Sequence, residues 1–70
     1  MELLLFQTDI ESNKKVASLK PLFNNHPDII KWTVDTDDID NVLKIEATID
    51  LSEKDVMDLV RKHGFYIRKL

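Results

Sequence analysis

The sequence contains no cysteine, a single glycine and two prolines among its 70 residues. Without cysteine, the chain can form no disulfide, no thiolate nucleophile and no zinc or copper site built on its own thiolates. The scarcity of glycine and proline leaves few places for irregular loops. A chain this short buries only a small core, and we expect one domain spanning residues 1–70.

The chain also lacks an excess of basic residues and a long hydrophobic run. Its formal net charge is −3, which argues against binding nucleic acid or an anionic membrane, because both need a basic face. The apolar run Leu3–Phe6 is too short for a signal-peptide core or a membrane span. The absence of disulfides suits the cytosol, so we expect a cytoplasmic protein.

What the first half does contain is a strand pattern followed by a helix pattern. In Glu2–Gln7 both alternating sets are apolar, which indicates a central strand or one whose second face meets a partner. Apolar residues then recur at helical spacing and predict a helix from Asn13 to Asn24. The predicted buried stripe of this helix is Val16, Leu19 and Phe23. Pro21 lies inside the pattern and predicts a kink.

The second half begins with two alternating runs. Ile30, Trp32 and Val34 are predicted to share the inner face of one strand, and Leu43–Ile49 forms the next. The acidic turn Asp37–Asn41 separates the two runs, so they are predicted to pair as a hairpin.

A second helix and a closing strand complete the chain. Ser52 is predicted to cap the helix, with Asp55 three residues later in a capping box. Gly64 suits the left-handed position after the helix, and Phe65–Leu70 reads as a short final strand. The predicted buried face of this helix is Val56, Leu59 and Val60.

The order strand, helix, strand, strand, helix, strand predicts an α+β, ferredoxin-like fold. Such a fold has a four-stranded antiparallel sheet with both helices on one face. Leu3 and Leu5 are predicted to project from the uncovered face. Two interpretations of them stay open: a patch for a partner or for self-association, or scattered exposed apolar side chains of the ordinary kind.

The turn from Thr8 to Val16 is the predicted functional region, because free N–H groups and the positive end of a helix dipole converge there. Asp9 and Ser12 are both good N-cap residues. An anion beside Lys14 and Lys15 is a weaker hypothesis. A Ser12–Lys15 catalytic pair would also need an oxyanion hole and a concave site, for which this domain has little room, so we predict no enzyme activity.

Other ligand candidates are weaker still. The acidic residues of the hairpin loosely resemble a calcium loop, but Ile39 occupies a ligand position and Asp40 stands where glycine is needed. That motif comprises Asp35, Asp37, Asp40 and Glu46, and a solvated acidic turn explains it as well. His26 and His63 are far apart in sequence and have no third ligand nearby. Trp32 is predicted to lie in the core.

Four segments together resemble a known family. Phe6–Ile10, Val16–Phe23, Trp32–Asp35 and Val56–Phe65 occur in the order and spacing of the heavy-metal-associated domain, which is found in small copper chaperones and metal-pumping ATPases. The resemblance covers nearly the whole chain and implies the same ferredoxin-like fold.

The departure from this family lies in its metal loop, Met-x-Cys-x-x-Cys. In this chain Ile10 takes the methionine position, Ser12 the first cysteine position and Lys15 the second. Copper(I) is a soft ion that prefers two thiolates in near-linear geometry, and neither a hydroxyl nor an ammonium replaces them. The sequence therefore resembles a degenerate member with no thiolate-bound metal, and no cofactor is expected.

The resemblance implies that the loop end of the fold meets partner domains, so we predict a protein-interaction module. We call the predicted set of contact residues the docking surface: Ser12, Lys14, Lys15, Lys20, Arg61, Lys62 and Phe65. The alternative function is weak or partner-shared metal ion binding in heavy-metal (copper) transport or homeostasis, through oxygen and nitrogen ligands or through cysteines of the partner.

Overall fold

The computed structural model describes residues 2–70, which form four strands and two helices. In chain order these are β1 (Glu2–Thr8), α1 (Asn13–Asn24), β2 (Ile29–Asp35), β3 (Val42–Ala47), α2 (Glu53–Lys62) and β4 (Ile67–Lys69). The strands make one sheet in the order β2-β3-β1-β4, and every neighbouring pair is antiparallel. The predicted α+β, ferredoxin-like architecture is confirmed. Within residues 2–70 no helix is long and apolar enough to cross a membrane.

Both helices pack on the sheet face that carries Phe6, Leu43 and Ile45, all fully buried. Trp32 is half-buried against this core, as predicted, with its ring edge-on to Phe23 at a centroid distance of 5.0 Å. The remaining buried apolar residues are Ile10, Leu19, Phe23, Ala47, Leu51, Val56, Val60 and Ile67.

Helix α1 has the predicted bounds and is capped by Ser12, whose backbone is extended at φ −139° and ψ 157°. Asp9, the other cap candidate, instead accepts a hydrogen bond from the backbone of Tyr66. The helix continues through Pro21 to Asn24, and the bend at Pro21 stays a prediction. Buried Leu19 and Phe23 carry most of its contact with the core.

The prediction that Ile30 shares the inner face with Trp32 is wrong. Ile29 pairs with Ala47 and Lys31 pairs with Glu46, so Ile30 is the extra residue of a β-bulge. An extra residue reverses the alternation on one side of the bulge. Ile30 is consequently 59% exposed, while Ile29 packs against the core in its place.

The predicted extension of β3 to Ile49 is also wrong. The strand ends at Ala47, and the next backbone N–H, that of Thr48, donates to the carbonyl of Asp28 at 2.9 Å. The Thr48 hydroxyl also donates to the Asp28 carboxylate at 3.0 Å. The chain then turns, because the Thr48 carbonyl accepts from the N–H of Leu51 and the Thr48 hydroxyl from the N–H of Asp50, both at 3.3 Å. This turn leaves Ile49 79% exposed.

The second helix shows the predicted capping box between Ser52 and Asp55, and Gly64 follows it with a φ of +88°. Leu59, predicted to belong to the buried face, is only half-buried. The closing strand is shorter than the predicted Phe65–Leu70, because it spans only Ile67–Lys69, the residues that pair with β1.

The face of the sheet opposite the helices is uncovered. Leu3 is 54% exposed and Leu5 is 39% exposed on it, which confirms their predicted direction. We call this surface, with its neighbouring residues Lys31, Lys44 and Glu46, the open face.

Candidate functional site

The loop between β1 and α1 brings Ser12 and the backbone of Lys15 into contact. The Ser12 hydroxyl oxygen accepts a hydrogen bond from the backbone N–H of Lys15 at 3.2 Å. This contact satisfies one of the free donors in the first turn of α1. The Ser12 hydroxyl therefore serves α1 as its N-terminal cap.

The side chain of Lys15 carries a paired charge. The ammonium nitrogen of Lys15 lies 2.9 Å from a carboxylate oxygen of Glu11, and the two side chains are 39% and 63% exposed. This hydrogen bond to Glu11 raises the pKa of the Lys15 ammonium above its ordinary value. Lys15 is therefore protonated at neutral pH, has no free electron pair for a metal ion, and repels cations.

Buried groups connect the β1–α1 loop to the core and to the β2–β3 hairpin. Ile10 is fully buried in the core, and its backbone N–H donates to the Thr8 hydroxyl at 3.1 Å. That hydroxyl donates in turn to the carbonyl of Asn41 at 2.6 Å. Thr8 thus joins the loop to the end of the β2–β3 hairpin, where Asn41 has a positive φ of 46°.

A second set of contacts joins the loop to the segment before β4. A carboxylate oxygen of Asp9 accepts from the backbone N–H of Tyr66 at 2.9 Å. The Asp9 N–H donates back to the Tyr66 carbonyl at 3.4 Å. Phe65, directly before Tyr66, is half-buried against the core. These contacts bring the segment that contains Phe65 beside the loop that contains Ser12.

The other members of the docking surface do not all share this location. Lys14 and Lys20 are exposed on α1. The guanidinium of Arg61 lies over β4 and donates to the Ile67 carbonyl at 3.4 Å. Lys62 lines a surface cleft of about 340 Å³ along α2, so it belongs to a different surface from the loop.

That cleft is mainly acidic, and three of its four carboxylates, those of Asp28, Asp55 and Asp58, accept hydrogen bonds from other groups of the chain. It is lined by His26, Asp28, Asp50, Leu51, Asp55, Asp58, Leu59 and Lys62. Asp55 accepts from the N–H of Ser52, and Asp58 pairs with Lys54. Within residues 2–70 there is no group of three or more histidine, aspartate or glutamate side chains placed to hold a metal ion.

The acidic hairpin uses its carboxylates to shape the turn. Asp35 accepts from the backbone N–H of Asp37, and Asp38 accepts from that of Asp40. Asp40 also accepts from the Gln7 side chain at 2.9 Å. These contacts hold the hairpin against β1, close to the loop.

Sequence reasoning did not identify Thr8 as a determinant of this end of the fold. Thr8 is only 5% exposed and is the buried polar residue of the described part of the chain. A signal was available, because Thr8 falls in the same alternating set as Leu4 and Phe6. A hydroxyl at a core position at the end of a strand indicates a partner that only the three-dimensional structure identifies.

A protein of known structure shares this fold. A solved structure described as "CsoZ metallochaperone" aligns with a TM-score of 0.79 and covers 96% of each chain at 15% sequence identity. A likeness at this identity shows a shared fold. No protein-family model matches the chain, and no curated protein matches it.

Proposed function

We propose that this chain is a non-enzymatic, cytoplasmic protein-interaction module on the scaffold of a metal carrier, and that it does not itself bind copper(I) tightly. The observation that carries the proposal is the state of the loop. Cysteine is absent from the chain, the Ser12 hydroxyl caps α1, and the Lys15 ammonium is paired with Glu11. A soft cation has no thiolate to bind at this place.

The proposed contact region is the part of the docking surface that surrounds the loop. In this proposal half-buried Phe65 supplies apolar area, and the basic side chains of Lys14, Lys15 and Lys20 on α1 supply charge. Charges at the rim of an interface act mainly on the rate of association and on partner choice. Lys62 faces the acidic cleft, so its contribution is smaller than that of the loop residues.

The second candidate function is metal handling in which this chain supplies only part of the ligand set. The observation in its favour is the likeness to a solved metallochaperone structure. In this case the ligands would be weak oxygen and nitrogen donors of the chain, or cysteines that a partner contributes to a shared site.

A competition titration with a copper(I) chelator separates the two functions. For the chain alone we expect no stoichiometric binding tighter than about 1 µM, which corresponds to about −8 kcal/mol. Tighter binding by the chain alone would reject the interaction module. Binding that appears only when a cysteine-containing partner is added would favour the shared site.

Restoring the thiolates tests the alignment of the loop. The variant Ser12→Cys with Lys15→Cys is expected to bind one copper(I) ion, because two sulfur donors then flank the first turn of α1. Replacing the Ser12 hydroxyl weakens the cap by about 1 kcal/mol, so the fold should survive.

The two single variants are the matched controls. Each supplies one thiolate, which is insufficient for near-linear two-sulfur coordination, and neither should bind copper(I) with the affinity of the double variant. A double variant that folds, as judged by circular dichroism, and yet binds no copper(I) would show that Ser12 and Lys15 are not the ligand positions.

A further inference from the structure

The open face has apolar side chains in the middle and unpaired charges beside them. Leu3 and Leu5 lie on the central strand β1, with exposures of 54% and 39%. Leu70 is 60% exposed, and its N–H donates to the Leu5 carbonyl at 3.3 Å, so it adds to the apolar strip. The ion pairs between residues 2 and 70 involve neither Lys44 nor Glu46.

The pairing register arranges these residues in two adjacent rows. Leu3 is directly opposite Glu46, and Leu5 is directly opposite Lys44. Side chains opposite each other in an antiparallel pair project from the same face. Each row therefore has a leucine on β1 and a charge on β3, and the two β3 charges have opposite sign. On β2 the Glu46 row continues to Lys31 and the Lys44 row to Thr33.

This pattern is complementary to itself. In a twofold dimer a residue that contacts a second residue is contacted by it in return. Consider a twofold axis that lies in the plane between the two sheets, perpendicular to the strands and midway between the two rows. This axis places each row over the other row of the second copy. Leu3 then meets Leu5 of the other copy, and Lys44 meets Glu46, twice in each case.

We propose that the open face binds a second copy of this chain, with the two sheets packed face to face about such an axis. The apolar strip supplies the buried contact, and the Lys44–Glu46 pairs fix the register and exclude the parallel arrangement, in which like charges would meet. This proposal goes beyond the partner-binding role of the loop and uses none of the docking-surface residues.

The small size of the face favours a weak dimer. Four strands about 4.8 Å apart make a face about 14 Å wide, and β1 makes it about 20 Å long. This is smaller than a standard interface of about 800 Å² per partner. We expect a dissociation constant of about 100 µM, so the chain should be mostly monomeric at about 10 µM and mostly dimeric at about 1 mM.

Complementary charge reversals test the pairing by sedimentation equilibrium. Lys44→Glu makes both β3 charges acidic and Glu46→Lys makes both basic, so like charges then meet across the axis, and each variant alone should dimerise at least tenfold more weakly than the natural chain. An equimolar mixture of the two should form a heterodimer at least as tight as the natural dimer, because both cross-subunit pairs then join opposite charges.

A charge-matched control separates this register from general attraction. Asp37→Lys changes the net charge by the same amount as Glu46→Lys but lies at the exposed hairpin turn, away from the open face. A mixture of K44E with D37K should form no such heterodimer, because one of its two cross-subunit pairs joins two glutamates. Equal heterodimer formation in the two mixtures would overturn the proposal, and so would a natural chain that is monomeric at about 1 mM.

The apolar contribution has its own pair of variants, which also serves if a charge variant fails to fold. Leu5→Ser should abolish dimerisation, whereas Ile39→Ser should leave it unchanged. Ile39 is 93% exposed, but it lies at the hairpin turn. Dimerisation that survives Leu5→Ser, or is lost with Ile39→Ser, would place the interface elsewhere.

Discussion

Replacing Thr8 by valine isolates the contribution of one buried hydroxyl to the loop end of the fold. Valine has nearly the same shape, so packing is retained while two hydrogen bonds are lost. The N–H of buried Ile10 loses its acceptor at 3.1 Å, and the carbonyl of Asn41 loses its donor at 2.6 Å. An unpaired buried N–H destabilises the fold by about 1–3 kcal/mol, whereas the half-buried carbonyl can turn to water.

We therefore expect Thr8→Val to lower the free energy of unfolding by about 2–3 kcal/mol. In a domain of this size, that loss should lower the melting temperature by about 10–20 °C. Urea unfolding followed by the fluorescence of Trp32, which is the only tryptophan of the chain, measures the change directly. A low protein concentration prevents dimerisation through the open face from contributing to the measured stability.

Thr33→Val is the matched control, because Thr33 is exposed on β2. Exposed substitutions of this kind usually change stability by less than about 0.5 kcal/mol. If Thr8→Val unfolds at the same urea concentration as Thr33→Val, the hydroxyl of Thr8 does not connect the loop to the hairpin in the way described.

Two further predictions concern the helices. Pro21→Ala should stabilise the chain by about 2 kcal/mol, since an alanine N–H can donate to the Ala17 carbonyl; a lower urea midpoint would instead show that core packing depends on a bend at Pro21. In α2, the hydrogen bond from the backbone N–H of Ser52 lowers the pKa of the Asp55 carboxyl most, and the hydrogen bond with the Ser52 side chain lowers it further. A depressed folded-state pKa stabilises the fold above the unfolded-state pKa and loses that effect as the pH falls through the folded value. The natural chain should therefore be more stable than Asp55→Asn at pH 7, and this difference in unfolding free energy should decrease below about pH 4. A difference that is constant with pH would contradict the capping box as its cause.

Periodicity and capping were enough to predict the fold and most element bounds. The alternation around Trp32 and Ile45, the stripe through Leu19 and Phe23, and the cap at Ser12 are all local features. Local features specify elements, and the order of the elements left few ways to build a sheet with both helices on one side.

Some errors come from interactions between residues distant in sequence. A bulge is invisible in the alternation of β2 itself, because it arises from the register with β3; Ile30 was misplaced for that reason. The error at Ile49 is instead local, because the alternation continues through Ile49 while Thr48 accepts from the N–H groups of Asp50 and Leu51 and the chain turns there. A long-range contact also decides the role of Asp9, which is one of two cap candidates in the sequence and instead accepts from the backbone N–H of Tyr66, 57 residues away.

The bulge at Ile30 affects how the protein can aggregate at high concentration. It lies on β2, the strand at one border of the sheet, and an irregular border cannot easily align a straight strand from a neighbouring molecule. At the opposite border β4 has only three residues, and the guanidinium of Arg61 occupies one of its carbonyls. Extension of the sheet into fibrils is therefore discouraged at both edge strands. At high concentration, association through the open face of the sheet is the route that remains.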